Sequence, residues 1–331
     1  MEMTYKLAHA PHLRRTERAS LMSLDVLIAL VPLCIFSAVY YGLRPVVIVL
    51  TGMVSAVLCE TVCCLMMKRV PTVADGTAAV TGGIIGALLP PAAPYWMPAV
   101  GAAFAILVVK MPMGGSGRNL FNPAAAALAI LTLCFPGFLF RYPDPGQNIP
   151  LPLSGALDGV ITESSPAAQM MSGGQTLYSR TMLLLGDFPG PIGATAIAVL
   201  AACALYLFTR RSASPLITFA YLAACAGMAA AFPRVSGGAA VSVPMELCSG
   251  YLLFAGIFLL NDPVTAPRHW LGRLAYGALA GVLVMLLRYY GRFEEGACFA
   301  VLLVNAFAPV IDRMSWYLLN LRRIRKEARA G

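Results

Sequence analysis

Cys248-Ser249-Gly250-Tyr251-Leu252-Leu253-Phe254-Ala255-Gly256-Ile257-Phe258-Leu259-Leu260 carries no charged residue and runs straight into Asn261-Asp262-Pro263-Val264-Thr265-Ala266-Pro267-Arg268. The run suits lipid, yet it ends in a polar turn with two prolines. Backbone opened at bilayer depth or at its edge is tolerated only where protein or a water-lined cavity satisfies the freed N–H and C=O groups. A second break, Gly114-Gly115-Ser116-Gly117-Arg118-Asn119-Leu120-Phe121-Asn122-Pro123, lies in the first half of the chain. Two breaks of this kind predict a site inside a membrane scaffold rather than a simple anchor.

Composition agrees. Of 331 residues, 59% are hydrophobic and only 12% charged, against roughly 25% charged in a soluble domain; mean hydropathy is +0.75. The net charge of +9 does not predict nucleic-acid binding, because the basic residues gather at segment ends and at the termini, as topology determinants do. Nine cysteines show no metal or disulfide spacing and read as small hydrophobes within spans. Lys6, His9, His12, Arg14, Arg15 and Arg18 precede the first apolar run, and no small-residue cleavage site follows, so no cleaved leader is expected. His9, His12 and His269 form no ligand set.

Ten apolar segments follow from hydropathy, at about 21–43, 46–67, 76–92, 95–112, 119–140, 188–209, 214–233, 246–261, 272–290 and 297–319. The third is short, rich in glycine and ends in Pro90-Pro91, like a half-helix. Lys/Arg bias puts both termini in the cytoplasm, with Lys68-Arg69, Lys110, Arg118, Arg210-Arg211, Arg268 and Arg273 on that side. The opposite side holds Arg44, Arg141, Arg180, Arg234, Arg288 and Arg292, diluted by acids. The fold class is therefore an all-α polytopic membrane protein of about ten transmembrane helices, in the cell's inner (cytoplasmic) membrane. Three regions are expected: a first transmembrane half, 1–140; an outward-facing loop, 141–187; and a second transmembrane half, 188–331. Five segments per half would invert one half against the other, a plan that places sites at broken helices near the repeat interface.

Asp25 and Glu60 lie inside apolar spans, Asp75 and Asp262 at or near span ends. Acids are costly in a membrane and are functional candidates there, so these four are candidates for coupling to an ion, with packing against arginines as the alternative. Glu60 faces Ala56 and Cys64 on its own helix, so any partner must come from elsewhere. The Gly114–Gly117 turn with Arg118 opens a helix, a setting that favours anions.

Taken in order, these motifs resemble one family nearly end to end. Ala10-Pro11-His12-Leu13-Arg14, Leu24-Asp25-Val26-Leu27, Asp75-Gly76-Thr77-Ala78-Ala79-Val80-Thr81-Gly82, the Gly114–Ala124 stretch, Asp262-Pro263-Val264-Thr265-Ala266-Pro267 and Asn305-Ala306-Phe307-Ala308-Pro309 make the chain similar to the D subunit of the Rnf complex, the ion-translocating ferredoxin:NAD oxidoreductase. A relative of that protein is the B subunit of the sodium-pumping NADH:quinone oxidoreductase; the modest length favours the Rnf type. The resemblance implies a flavoprotein that takes part in electron transport coupled to Na+ or H+ movement. It would carry FMN, phosphoester-linked to a hydroxyl in the outer loop, with riboflavin as a further expected cofactor.

The family's attachment pattern is Asp-x-x-Ser/Thr-Gly-Ala-Thr/Ser, often followed by proline. Here Asp158-Gly159-Val160-Ile161-Thr162-Glu163-Ser164-Ser165-Pro166 lacks the Gly-Ala pair. Counting from Asp158 selects Ser164; counting back from Pro166 selects Ser165, which keeps the hydroxyl–proline step, with Thr162 as the upstream hydroxyl. Gly115, Arg118 and Asn119 are candidates for a second flavin or a partner subunit. The implied partners are the other subunits, membrane lipid and a flavin-transferring enzyme. No P-loop, Gly-x-Gly-x-x-Gly or Cys-x-x-Cys pattern is present, so NADH and ferredoxin are expected to react on other subunits. A small-solute transporter without a redox centre is the alternative from another class.

Overall fold

The computed structural model describes residues 16–69, 72–151, 162–173, 178–235 and 237–330. Asp158, His9 and His12 lie outside them. Before the long connection come α1 (Thr16–Tyr41), α2 (Arg44–Met66), α3 (Thr77–Leu88), α4 (Trp96–Phe104), which continues through a π turn at Ala105–Lys110, and α5 (Pro123–Cys134) with a single turn behind it, α6 (Pro136–Leu139). The connection holds an antiparallel pair, β1 (Tyr142–Pro143) and β2 (Thr162–Glu163), and the short helices α7 (Pro166–Met171) and α8 (Arg180–Leu185). After it come α9 (Ile197–Thr209), α10 (Pro215–Ala231), α11 (Ala239–Cys248), α12 (Leu252–Phe254) with a second π turn at Ala255–Leu259, α13 (Trp270–Tyr290) and α14 (Ala297–Ala330).

The fold is all-α and polytopic. Four helices, Ser20–Tyr41, Arg44–Met66, Trp270–Tyr290 and Ala297–Asn320, are long and apolar enough to cross a membrane. The α11–α12 pair passes the same test as one broken span, and α3, α4, α5, α9 and α10 are shorter apolar helices. These units correspond in order to the ten hydropathy segments, except that α9 begins at Ile197 rather than near 188 and the broken pair at Ala239 rather than near 246. The lipid-ward faces of α1 and α2 expose Val31, Ile35, Val39, Leu50, Val54 and Leu58, as expected where the solvent is hydrocarbon. One core joins both halves, from Ala29 and Leu30 of α1 to Val304 and Ala308 of α14.

Small residues bring the helices close, which is how packing proceeds when lipid removes the hydrophobic drive between them. A Cβ on Gly52 of α2 would lie 2.5 Å from the Gly82 carbonyl oxygen of α3. In the second half, Cβ atoms on Gly277 and Gly281 of α13 would each lie 2.5 Å from a carbonyl oxygen of α10, that of Ile217 or Tyr221.

Each broken helix has its freed backbone satisfied by protein. Helix α3 stops at Leu88, and the carbonyls of Ala87 and Leu89 accept from Gly193 N–H (2.6 Å) and Ile192 N–H (3.0 Å) of the segment entering α9. The run from Cys248 to Leu260 is not one helix that opens at Asp262. It bends by 67° between α11 and α12, well ahead of that turn, where Gly250 takes φ +60°. Arg288 of α13, 1% exposed, reaches into this bend and donates to the Glu246 carbonyl (2.7 Å) and the Ser249 carbonyl (2.8 Å). Its charge is met by Glu246 at 3.1 Å and Glu295 at 2.6 Å, and Arg234 joins Glu246 at 2.7 Å.

Several of the charges counted for sidedness are buried. Arg234 and Arg288 are held in a buried cluster, and Arg44, 5% exposed, donates to the carbonyls of Ala93 and Pro150. Lys110 is likewise 1% exposed. Such residues hold helices together and do not report which side faces the cytoplasm.

Candidate functional site

Two cavities lie along α14, one just ahead of its start and the other near its middle. The first, about 440 Å³, is lined by Phe140, Arg141, Thr162, Glu163, Ser164, Ser165, Arg292, Phe293 and Glu294 among others. The second, about 160 Å³, is lined by Asn119 and Leu120 from one polar break, Val264 to Arg268 from the other, and Asn305, Pro309 and Asp312 of α14. At 1.5 Å per helical residue, Glu294 and Asp312 are roughly 25 Å apart.

The first cavity is built by the β pair. Tyr142 pairs with Glu163 and Pro143 with Thr162, so the chain returns from the long loop beside Arg141. Ser165 then starts α7 as its N-cap, with proline at the first helical position. Its Oγ accepts from Ala168 N–H at 3.1 Å and donates to the Glu294 carboxylate in a short hydrogen bond. Ser165 is 3% exposed, whereas Ser164 and Thr162 are both exposed. Burial of Glu294, reinforced by Glu295 and opposed by the Ser165 hydrogen bond and Arg288, pushes its acid up to about 7. Phe140 and Phe293 stack at 6.0 Å, and Phe293 stacks on Phe299 at 6.3 Å. Among the described residues no carboxylate pairs with Arg141 or Arg292. The cavity thus offers two cations, an aromatic stack and a hydroxyl in contact with a carboxylate.

The second cavity joins the two polar breaks noted in the sequence. Asn122 caps α5 through Ala124 and Ala125 N–H and donates to the Leu259 carbonyl at 2.9 Å. Asn261 donates to the Gly256 and Ile257 carbonyls at 2.9 and 3.1 Å. These side chains satisfy carbonyls in the second π turn. Asp312 accepts from the N–H groups of Arg268 and His269, fixing the turn to α14. Two of the residues lining this cavity carry a buried polar atom with no partner among the described residues, Asn119 Oδ1 and Asn305 Nδ2. They leave one acceptor and one donor without a partner in residues that line the cavity. Arg118 is exposed, and its stem passes Gly114, which has φ +110°.

The four acids do not meet at one site, although Lys110, the partner of Glu60, also lies within electrostatic reach of Asp262. Glu60, fully buried, accepts from Lys110 at 3.0 and 3.1 Å and from Thr72 at 2.6 Å. Lys110 also donates to Thr77 at 2.7 Å, and Thr77 bonds Ser116 of the glycine turn at 3.0 Å. Asp25 pairs with Arg210 at 3.0 Å and accepts from Ser212 and Tyr206, joining α1 to the end of α9. Asp262 closes its own turn, accepting from Val264 N–H at 3.2 Å. Asp75 sits half-buried in the short turn Val73–Asp75 ahead of α3. Sequence reasoning missed Glu294, Arg141, Arg292 and Asn305 as lining residues; only Asn305, inside an apolar segment, left a signal.

Residues 6–316 match the NQR2, RnfD, RnfE family. The chain is similar to the D subunit of the Na(+)-translocating ferredoxin:NAD(+) oxidoreductase complex of Acetobacterium woodii, with 29% identity over 99% of both chains. It is equally similar to the D subunit of the proton-translocating ferredoxin:NAD(+) oxidoreductase complex of Clostridium ljungdahlii, 29% identical over 94% of each. The D subunit of an ion-translocating oxidoreductase complex from Stutzerimonas stutzeri is 33% identical over 88% of this chain and 89% of its own. With its broken apolar helices, its two polar breaks joined at one cavity and a match over nearly its whole length, the chain belongs to the NQR2, RnfD, RnfE family.

Proposed function

We propose that this chain is the D-type membrane component of an Rnf-type complex, passing electrons between ferredoxin and NAD within that complex while Na+ or H+ is moved. The first cavity would hold FMN as a phosphoester on Ser165, with Ser164 and Thr162 as the alternative acceptors. Arg141 and Arg292 fit a phosphate, and the Phe140–Phe293 stack fits a flat ring. A volume of about 440 Å³ lies within the range of cofactor sites. Bound flavin supplies electron transfer, while the protein supplies position and electrostatics. The second cavity, smaller than a whole cofactor needs, would take one edge of a riboflavin ring against Asn119 and Asn305. Both termini would lie in the cytoplasm, with the chain in the inner membrane; the Lys/Arg bias that remains at Lys68-Arg69, Arg210-Arg211, Arg268 and Arg273 supports this. The halves 1–140 and 188–331 would be inverted repeats, each with a π turn leading to a polar break.

The observation that carries the reading is the convergence on one cavity of a hydroxyl, stacked aromatics and two arginines that no carboxylate among the described residues neutralises. The test is in-gel fluorescence and peptide mass of the denatured, washed chain, produced together with a flavin-transferring enzyme. A fluorescent band lost in Ser165→Ala and kept in Ser164→Ala and Thr162→Ala is expected. A colourless wild-type chain with none of the three hydroxyls modified would leave a permease.

A further inference from the structure

We infer that Glu294 is the base that takes the proton from Ser165 when this hydroxyl is esterified, so that the acceptor brings its own catalytic residue; the inference rests on the attachment of FMN at Ser165 proposed above. A serine hydroxyl is a weak nucleophile unless a base stands within hydrogen-bond reach. Here the single proton of Ser165 Oγ is already directed at the Glu294 carboxylate. One lone pair of the same oxygen accepts from Ala168 N–H, which leaves the other for a new bond. Both residues line the cavity that Arg141 and Arg292 flank, so a phosphate drawn there by its charge meets the oxygen that attacks it.

The groups around Glu294 suit the role. Tyr142 stands beside the same carboxylate, Glu295 and Arg292 are its neighbours on the α13–α14 loop, and Arg288 faces it from α13. Glu163 and Arg141 face it across the cavity. With its acid at about 7, Glu294 takes up a proton near neutral pH and gives it back, the match general-base work requires.

The step balances. Ser165 Oγ forms a bond to the flavin-side phosphorus of a flavin dinucleotide supplied with its transferring enzyme. The anhydride P–O bond breaks and a nucleoside monophosphate leaves with the electron pair. The serine proton passes to Glu294, and nothing is oxidised or reduced. The Ser165–Glu294 contact then survives with its direction reversed, because the esterified oxygen can only accept and the protonated Glu294 can donate. This also avoids setting a carboxylate against a phosphate.

The test uses the full chain in detergent, purified flavin-transferring enzyme and flavin adenine dinucleotide, with initial labelling rates read by in-gel fluorescence on both sides of pH 7. The wild-type rate should rise with pH up to about 7 and level off above it. Glu294→Gln should label about 10²-fold more slowly and lose that rise, and Glu294→Asp should keep a rise with a displaced midpoint. Label lost in Ser165→Ala but formed at the wild-type rate in Glu294→Gln overturns the role of Glu294 and leaves the attachment standing. Label that survives in Ser165→Ala sinks the attachment, and this inference with it. If Glu294→Gln does not fold, Glu294→Asp decides: an unmoved midpoint overturns the proposal.

Discussion

Lys110 carries one of the larger energetic commitments in the chain. Its ammonium and the Glu60 carboxylate are both withdrawn from solvent, and every oxygen of that carboxylate is engaged. Removing one partner of a buried pair leaves a naked charge, so Lys110→Met should cost about 3–5 kcal/mol, read as a lower thermal midpoint in detergent. Glu60→Gln added to Lys110→Met should restore most of it; a double variant no better than the single would refute the pairing. Glu294 gives a pH signature. Its acid lies above the ordinary carboxylate value, so its contribution to the fold is complete below that ordinary value and is lost as pH rises through about 7. As pH rises from the ordinary carboxylate range to about 7, the thermal midpoint of the wild-type chain should therefore fall more than that of Glu294→Gln, and parallel profiles would contradict this. The sequence marked Glu60 as needing a partner from elsewhere, since Ala56 and Cys64 offer none. It did not disclose Lys110, because 50 residues separate two side chains that only tertiary packing brings together. Glu294 was hidden for the opposite reason: a glutamate in a loop after Arg292 reads as solvated until the loop is folded over Ser165.

Among the elements, the bent α11–α12 pair is the most demanding. Gly250 takes a left-handed φ of +60°, and a Cβ there would fall on the Glu295 carboxylate that neutralises Arg288. Gly250→Ala should therefore lower the thermal midpoint by several degrees, an effect of a few kcal/mol spread over a chain of this size. Gly227→Ala in α10, where a Cβ meets nothing within 4 Å, should be neutral or slightly stabilising. Equal losses in the two variants would show that the bend does not depend on Gly250. Hydropathy found this segment and its end but not its bend, because a lipid-facing run and a broken, protein-buried run have the same composition. The Ser249-Gly250 step inside the run was the available signal. The third segment was better marked: its short length and Pro90-Pro91 correctly set a half-span that stops at Leu88.

Over the whole molecule, α14 ties the two cavities to one rod, with Glu294 just ahead of its start and Asp312 in the second cavity. If the second cavity grips a non-covalent flavin through Asn119 and Asn305, Asn305→Leu should weaken retention of that flavin up to about tenfold, measured as flavin released on denaturation, while the covalent label stays. Loss of neither, or of both together, would speak against two separate sites. The ten-segment plan was legible because each apolar stretch must meet lipid or the shared core, whatever its neighbours. The cavities were not, since each is assembled from segments far apart in the chain. The short pairing of β1 with β2 has one more consequence. It clasps the stalk of the long loop, so Arg141 is held beside Ser165 by the pairing itself rather than by the length of the interval between them. A cleavage tag spliced between Asp144 and Ile161 would then leave labelling of the serine intact, and its trimming by an impermeant protease in sealed vesicles would tell which compartment the loop inhabits.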